Sequence, residues 1–494
     1  MNNATEQNYK KITYAIEALL ADNFDYLITV LDGLEALVAN NNNSLTELEK
    51  IDLSLNILFS ELIHRDFSKS YLYRLLYGIF VNTLVQGNNF VTHFASFRTR
   101  ILSAAIRYEV IFRTDTTQKV YDSISAIQNA TLRLADDIND IRLTGSRGAE
   151  LSNFNVTATN RKFIRCVVSA SDYLAALKKA RSVLSEYLDV INLGLADEFL
   201  HIHQRALVVD TRSPGSADFQ HNVNILDGSY RVEKDHYLEF TRKLPTILNS
   251  GDVQGETKEK IKSAIRYLRL GNQSTEVEHK FINYWIGLEY LFSNYESQNT
   301  INRIKEHFIN AHLLAYLKRN TYSFKNDFGK ISSANQALAP SFSAGDYSCL
   351  SEKTFFTDAG QHLLSTHPLI AYRALKLHKW FFPVGGGTAN ASDYLKKHKA
   401  NLETHFTRIY RLRNEIIHDA ATNTNNEHIV SNLRYYLTFI LNELIDFFSR
   451  NSGKLISIED YFVQNEIEIG NIEHSGYPLD QLLNVDCSID FISG

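Results

Sequence analysis

Cysteine and proline are scarce in this chain, and each shortage narrows its class. The three cysteines among 494 residues, Cys166, Cys349 and Cys487, lie far apart and form no Cys-x-x-Cys pair. That excludes a disulfide-framed scaffold and a thiolate metal set read from spacing, and it points to a reduced, cytoplasmic protein. Of six prolines the first is Pro214, so the long proline-free stretch before it, with its 3.6-residue apolar period, predicts a largely helical N-terminal half. Long uncharged apolar runs are also missing. The stretch from Tyr71 to Gln86 is broken by Arg74, and no membrane span is expected. The opening residues carry Glu6, Glu17 and Asp22 and end without a small-residue cleavage site, so no secretory signal is expected. An overall excess of positive charge is lacking too: the net charge of −5 does not by itself suggest a partner for nucleic acid.

The length implies about three structural units, and 44% apolar residues are enough to give them a sizeable core. Apolar periodicity predicts helices near 6–21, 23–40, 45–64, 68–86, 88–113 and 116–143, the third opened by the capping box Ser44-Leu45-Thr46-Glu47. The polar stretch Thr144 to Asn160 reads as a boundary. Beyond it, Arg161 to Ser169, Ala206 to Asp210 and Tyr230 to Phe240 read as strands, with an amphipathic helix from Ser171 to Leu193. Helices return at Glu256 to Leu270, Thr275 to Tyr295, Ser392 to His418 and Glu427 to Arg450, around a mixed region, Gln298 to Asn390. The expected architecture is mainly α. It comprises an N-terminal helical sensing or assembly region (1–145), a small α+β element (160–250), a helical C-terminal domain (254–450) and an acidic tail (451–494).

Charge is segregated along the C-terminal half. Between His367 and Arg413 stand nine Lys or Arg against two acids, whereas Lys454 to Gly494 has one lysine against eight acids. The basic run includes Lys396, Lys397, Lys399 and Arg408 as candidate RNA contacts. A solvated helix face is the plainer alternative for part of it. The acidic segment Glu459 to Asp490 is a candidate occupant of the basic cleft, acting as an RNA mimic, with a plain solvated tail as its alternative.

The basic run leads into Arg413-Asn414-Glu415-Ile416-Ile417-His418. A guanidinium, an amide and an imidazole are the groups that RNA cleavage without a metal requires: charge stabilisation at the phosphorane, orientation, and a base and acid for the two oxygens. Imidazole, with an ordinary pKa of ~6.5, suits both proton transfers near neutral pH. On a helix, Arg411, Asn414 and His418 share one stripe and Arg413 lies to the side. The plainer alternative is a set of helix-end cations that complement the dipole or pair with Glu403 or Glu415.

The stretch Tyr410 to His418 resembles the Rx4-6H signature of HEPN ribonucleases. Upstream, Phe281-Ile282-Asn283-Tyr284-Trp285-Ile286-Gly287-Leu288-Glu289 resembles the Trp and Leu-Glu helix of the ApeA-like HEPN branch. The resemblance spans about 254 to 450 and implies a four-helix HEPN bundle with a long insertion, dimerised so that two motifs face one RNA cleft. It implies a metal-independent endoribonuclease that needs no cofactor and acts on tRNA or other cellular RNA. Many such proteins are bacterial antiphage effectors, which implies an abortive-infection role here, set off by a phage-derived activator or partner protein. By position, Arg413 would stabilise the phosphorane, His418 act as acid or base, and Asn414 orient the phosphate or imidazole. Glu289 has two readings, a carboxylate that holds Arg413 or His418 in register or a surface glutamate paired with a lysine. Arg411 is an RNA contact or a solvated arginine. A non-catalytic HEPN scaffold that binds nucleic acid or a partner protein is the alternative function. Control by nucleotidyl transfer to a tyrosine two positions beyond the histidine is disfavoured, because that position is Ala420.

Two weaker signals remain. His201 and His203, with Asp197 and Glu198 before them, are candidate metal ligands, but residues two apart share no helical face and no cysteine completes a set. They read as a surface pair. Gly385-Gly386-Gly387-Thr388 lacks the Gly-Lys-Ser/Thr ending of a phosphate loop and reads as a hinge.

Overall fold

The computed structural model describes residues 11–13, 17, 25–39, 44–82, 90–126, 131–156, 160–192, 200–213, 217–220, 222–224, 226–228, 234–293, 300–331, 337–382, 392–418, 426–474, 479–485 and 487. The chain forms two compact units, Met1–Val223 and Asn224–Gly494. It is mainly helical, with a small antiparallel sheet in the first unit.

The first unit opens with helices α1 (Tyr26–Ala39), α2 (Leu45–His64), α3 (Lys69–Leu76, running into a π-helical turn Tyr77–Asn82) and α4 (Phe90–Ile101). Leu27, Leu31, Leu58, Leu62, Phe94 and Phe97 form their common core. The Ser44 side chain accepts the Glu47 amide at 3.3 Å, as its capping box predicts. The chain then alternates through β1 (Ile106–Thr116), α5 (Gln118–Ala126), β2 (Leu132–Ala135), α6 (Gly145–Phe154), β3 (Arg161–Ala170), α7 (Tyr173–Asn192), β4 (Leu200–Asp210) and β5 (Ala217–Gln220). The sheet order is β2-β3-β1-β4-β5, antiparallel throughout.

Three expectations are corrected here. The predicted helices 88–113 and 116–143 are helical only in their first parts, as α4 (Phe90–Ile101) and α5 (Gln118–Ala126), and then give way to β1 and β2, so the α+β element begins at about Ile106 and not at 160. The central strand β1 is covered on both faces. Tyr108, Val110 and Phe112 pack with α7, while Ile111 packs on the other side with Leu151 and Phe154 of α6. A strand buried on both sides loses the polar alternation that marks a strand in sequence. The expected boundary at 144–160 holds α6, and the division between units falls at Val223 instead.

Asp172, just before α7, joins the helical and sheet parts of the unit. It is fully buried and its carboxylate accepts four hydrogen bonds: Ser68 N at 2.8 Å, Ser68 Oγ at 2.9 Å, Leu174 N at 2.8 Å and Ala175 N at 2.9 Å. It therefore caps its own helix while fixing Ser68, which in turn caps α3 through the Tyr71 amide at 3.3 Å. Burial pushes the carboxyl pKa up, against the lowering effect of these bonds. Asp172→Ala is expected to destabilise the first unit by roughly 3 kcal/mol, since it strands several buried donors at once. Urea unfolding monitored by circular dichroism measures it, with Asp172→Asn expected to recover part of the loss.

The second unit is helical: α8 (Lys234–Asn249), α9 (Gly255–Gln273), α10 (Val277–Phe292), the single turn α11 (Thr300–Arg303), α12 (Ile309–Gly329), α13 (Lys353–Leu363), α14 (Pro368–Phe381), α15 (Ser392–His418), α16 (Glu427–Arg450) and α17 (Ile458–His474). A π-helical turn, Ile304–Phe308, joins α11 to α12. The expected strand Tyr230 to Phe240 is corrected: from Lys234 the segment is α8, with Phe240, Leu244, Ile247 and Leu248 packed toward the core at helical spacing. The Gly385–Thr388 hinge lies outside the described residues.

One contiguous core joins these helices, with α16 at its centre. Leu433, Leu437, Ile440, Leu441, Leu444 and Ile445 are each at most 1% exposed, so this helix is enclosed on most sides. At Gly287 of α10 a Cβ would lie 3.0 Å from Leu437 and 3.2 Å from Tyr267, which explains the glycine as the point where α9, α10 and α16 approach. Helices α9 and α10 also close each other's ends. Lys260 of α9 donates to Ser293 O at 2.6 Å, just past α10, and Lys280 of α10 donates to Gly271 O at 3.5 Å and Ser274 O, at the end of α9.

The acidic C-terminal segment is not a free tail. Ile458, Tyr461, Phe462, Ile469 and Ile472 of α17 are buried in the core, and Phe462 stacks on Phe292 with centroids 5.1 Å apart. Its acids line the solvent side of an amphipathic helix, and α17 together with the described residues Leu482, Val485 and Cys487 belongs to the fold.

Candidate active site

Helix α15 carries the motif and has the predicted bounds, Ser392–His418. Leu395, Leu402, Phe406, Ile409 and Leu412 recur at helical spacing and are buried. The opposite side is left to Lys396, Lys397, Lys399, Arg408, Arg411 and His418, all exposed. Arg413 and Asn414 sit half-buried between the two faces.

The lateral offset of Arg413 is partly closed by its neighbour. Arg413 Nη1 donates to Asn414 Oδ1 at 3.1 Å, which draws the guanidinium toward the stripe shared by Asn414 and His418. Arg413 Nε is buried and finds no hydrogen-bond partner among the described residues. Neither Arg411 nor Arg413 forms an ion pair with Glu403 or Glu415 among those residues, which leaves complementing the helix dipole as the plainer role for these cations. His418 occupies the last described position of α15, and residues 419–425, Ala420 among them, lie outside the described residues.

The Trp/Glu helix reaches this segment. The Trp285 ring packs against Tyr410, centroids 6.1 Å apart and 53° between planes, one turn before Arg413. Glu289 is half-buried and accepts the Trp285 indole N–H at 3.0 Å. Among the described residues it pairs with neither Arg413 nor His418, and no lysine holds it. Both readings of Glu289 are therefore replaced by a third, in which it fixes the indole that supports α15.

The basic run is divided in its roles. Arg373 pairs with Asp327 and donates to Ser323 Oγ at 2.6 Å, so it serves the fold. Lys376 lies over Tyr372 and Trp380, at 5.4 and 5.3 Å from the ring centroids. Lys396, Lys397 and Lys399 remain on the exposed face, roughly 20–25 Å along the axis from Arg413 at 1.5 Å per residue. Arg408 is closer, about 8 Å by the same rise.

The motif gave no hint of a second polar cluster on the same helix. His398 and His405 of α15 are seven residues apart, and they meet His312 of α12 and Tyr435 and Tyr436 of α16. His398 Nε2 lies 3.4 Å from His312 Nδ1, His312 Nε2 lies 3.3 Å from Tyr435 Oη, and His405 Nδ1 lies 2.8 Å from Tyr436 Oη. Burial pushes the His312 pKa down to about 3 and that of His398 to about 4, with the nearby Arg319 charge adding to both. Within each helix these residues share a face, His312, Tyr316 and Arg319 at spacings of four and three and His398, His405 and Arg408 at seven and three, but nothing in the sequence joins the two faces.

In the first unit His201 is exposed and His203 half-buried on β4. Burial and the Arg113 and Arg205 charges lower the His203 pKa. Among the described residues no three His, Cys, Asp or Glu side chains are grouped to hold a metal ion, and no helix is long and apolar enough to cross a membrane.

Compared with family models, curated proteins and solved structures, the chain matches none. The geometry of the site therefore carries the functional reading by itself.

Proposed function

We propose that the second unit is a HEPN-type ribonuclease, a metal-independent endoribonuclease that cuts tRNA or other cellular RNA from within the cytoplasm. The observation that supports it most is the hydrogen-bonded Arg413–Asn414 pair next to the exposed helix end that bears His418. In this reading α9, α10, α15 and α16 are the HEPN bundle, and the segment between α10 and α15 is its insertion. Their shared core and the Trp285–Tyr410 contact support that assignment.

The reaction uses few groups. A histidine takes the 2′-hydroxyl proton, the 2′ oxygen bonds to phosphorus, the bond to the 5′ oxygen breaks, and a second acid protonates that oxygen. Arg413 neutralises the charge that develops on the phosphorane, and Asn414 holds the guanidinium in place. The motif holds a single histidine, His418, so a homodimer or higher oligomer that faces two motifs across one cleft supplies both base and acid. A phage-derived activator or partner protein would control the assembly, and abortive infection would be the cellular outcome.

Purified protein incubated with total RNA in EDTA is expected to yield fragments with 2′,3′-cyclic phosphate and 5′-hydroxyl ends, read by end-labelling. Cleavage that appears only with a divalent metal would overturn the mechanism. Binding of RNA without cleavage would favour the non-catalytic scaffold.

A further inference from the structure

The His312–His398–His405 cluster borders a pocket of about 700 Å³ in the second unit, formed by side chains from α12, α15 and α16. Among the described residues no Asp or Glu lines it. Two guanidiniums do, Arg319 and Arg408, and neither is in an ion pair among the described residues. The other polar groups on its wall are neutral. The imidazoles are held in that state by burial, and burial also pushes the Tyr435 hydroxyl up to about 12. A wall with two guanidiniums and no carboxylate among its described residues has one electrostatic complement, an anion.

The wall also has a flat face. Tyr316 and His398 stack with centroids 4.1 Å apart and 15° between planes, and Arg319 lies 5.9 Å from the Tyr316 ring centroid. Both His405 nitrogens are engaged, Nε2 by Asn432 Nδ2 at 3.4 Å and Nδ1 by Tyr436 Oη at 2.8 Å, and the Asn401 amide in the lining is the group that faces polar ring atoms. The volume falls within the ~300–1,000 Å³ of small-ligand sites.

We propose that this pocket binds an organic phosphate with a planar ring, in practice a nucleoside phosphate, with its phosphate on Arg319 and Arg408 and its ring against the Tyr316–His398 face. Arg413 and His418 are not among the lining residues, and the proposal does not depend on the ribonuclease reading. A free nucleotide and the end of an RNA strand carry the same chemistry, and the pocket's size favours the free nucleotide.

Calorimetric titration of the full-length protein tests this with AMP, inorganic phosphate, adenosine and a short 2′-O-methyl RNA bearing a 5′-phosphate. AMP is expected to saturate one site per chain, adenosine to bind at least tenfold more weakly, and phosphate to compete with AMP. Arg319→Gln and Arg408→Gln are each expected to weaken AMP at least tenfold while leaving the melting temperature within a few degrees. The exposed Arg408 provides a variant that does not perturb the core. Absence of AMP binding at millimolar concentration, or binding indifferent to both substitutions, would overturn the proposal. RNA binding that depends on Arg319 while AMP fails to bind would overturn it in favour of a strand end.

Discussion

His418→Ala is expected to lower RNA cleavage in EDTA about a thousandfold, within the 10²–10⁴ range for loss of a positioned acid or base. His418 is exposed at the end of α15, so its removal leaves no cavity and the melting temperature should stay unchanged. Arg413→Ala is expected to cost about a hundred- to a thousandfold, through lost stabilisation of phosphorane charge. Arg413→Lys should recover only part of that, because an ammonium cannot hold Asn414 and grip a phosphate with a planar fork at once. Asn414→Ala tests the connection between them. With the 3.1 Å bond gone, the guanidinium loses its hold near the His418 stripe, and a smaller loss of about tenfold is expected for misplacement. Rates on a defined RNA, with folding checked by circular dichroism, separate these outcomes. Cleavage that survives both His418→Ala and Arg413→Ala would remove this site from the reaction.

Deleting residues 455–494 is expected to unfold the second unit. The segment was a candidate autoinhibitor by charge, and its removal would then raise activity. The structure gives it another role. Ile458, Tyr461, Phe462, Ile469, Ile472, Leu482 and Val485 are buried, and each fully buried side chain of this size contributes on the order of 2 kcal/mol. Their combined loss, about 14 kcal/mol, is as large as the roughly 5–15 kcal/mol that separates a folded domain from its unfolded chain. Truncation also strips Lys318, buried in α12, of its acceptors Val485 O at 2.6 Å and Cys487 O at 3.1 Å, leaving a charge without partners. Loss of the cooperative melting transition, together with loss of any cleavage, is the expected result. A soluble, cooperatively folded truncation would contradict it.

Helices whose apolar residues recur on one face were legible in the sequence with their ends. Leu402, Phe406, Ile409 and Leu412 define α15, and α16 likewise has its expected bounds. What escaped was set by tertiary burial. Ile111 and Phe112 point to opposite faces of β1 and both meet a helix, so neighbouring positions are apolar and the two-residue period disappears. Around the motif, residue types were readable and partners were not. The acceptor of the Trp285 indole is Glu289, a pairing between residues one turn apart, whereas the expected partner lay on another helix. The His312 pocket was invisible for the opposite reason. Its polar groups come from three helices far apart in sequence, and only packing brings them together.

The reciprocal lysines of α9 and α10 carry a consequence for how the second unit opens. Each helix end is completed by a side chain rooted in the other helix. Fraying at one end therefore releases a buried ammonium from its carbonyls, and the penalty for that rises steeply away from water. The pair is expected to exchange its amide protons as one block and not turn by turn from the ends, which native-state hydrogen exchange measures. Trp285 and Glu289 sit inside that block, so the support beneath Tyr410 is either wholly present or wholly absent.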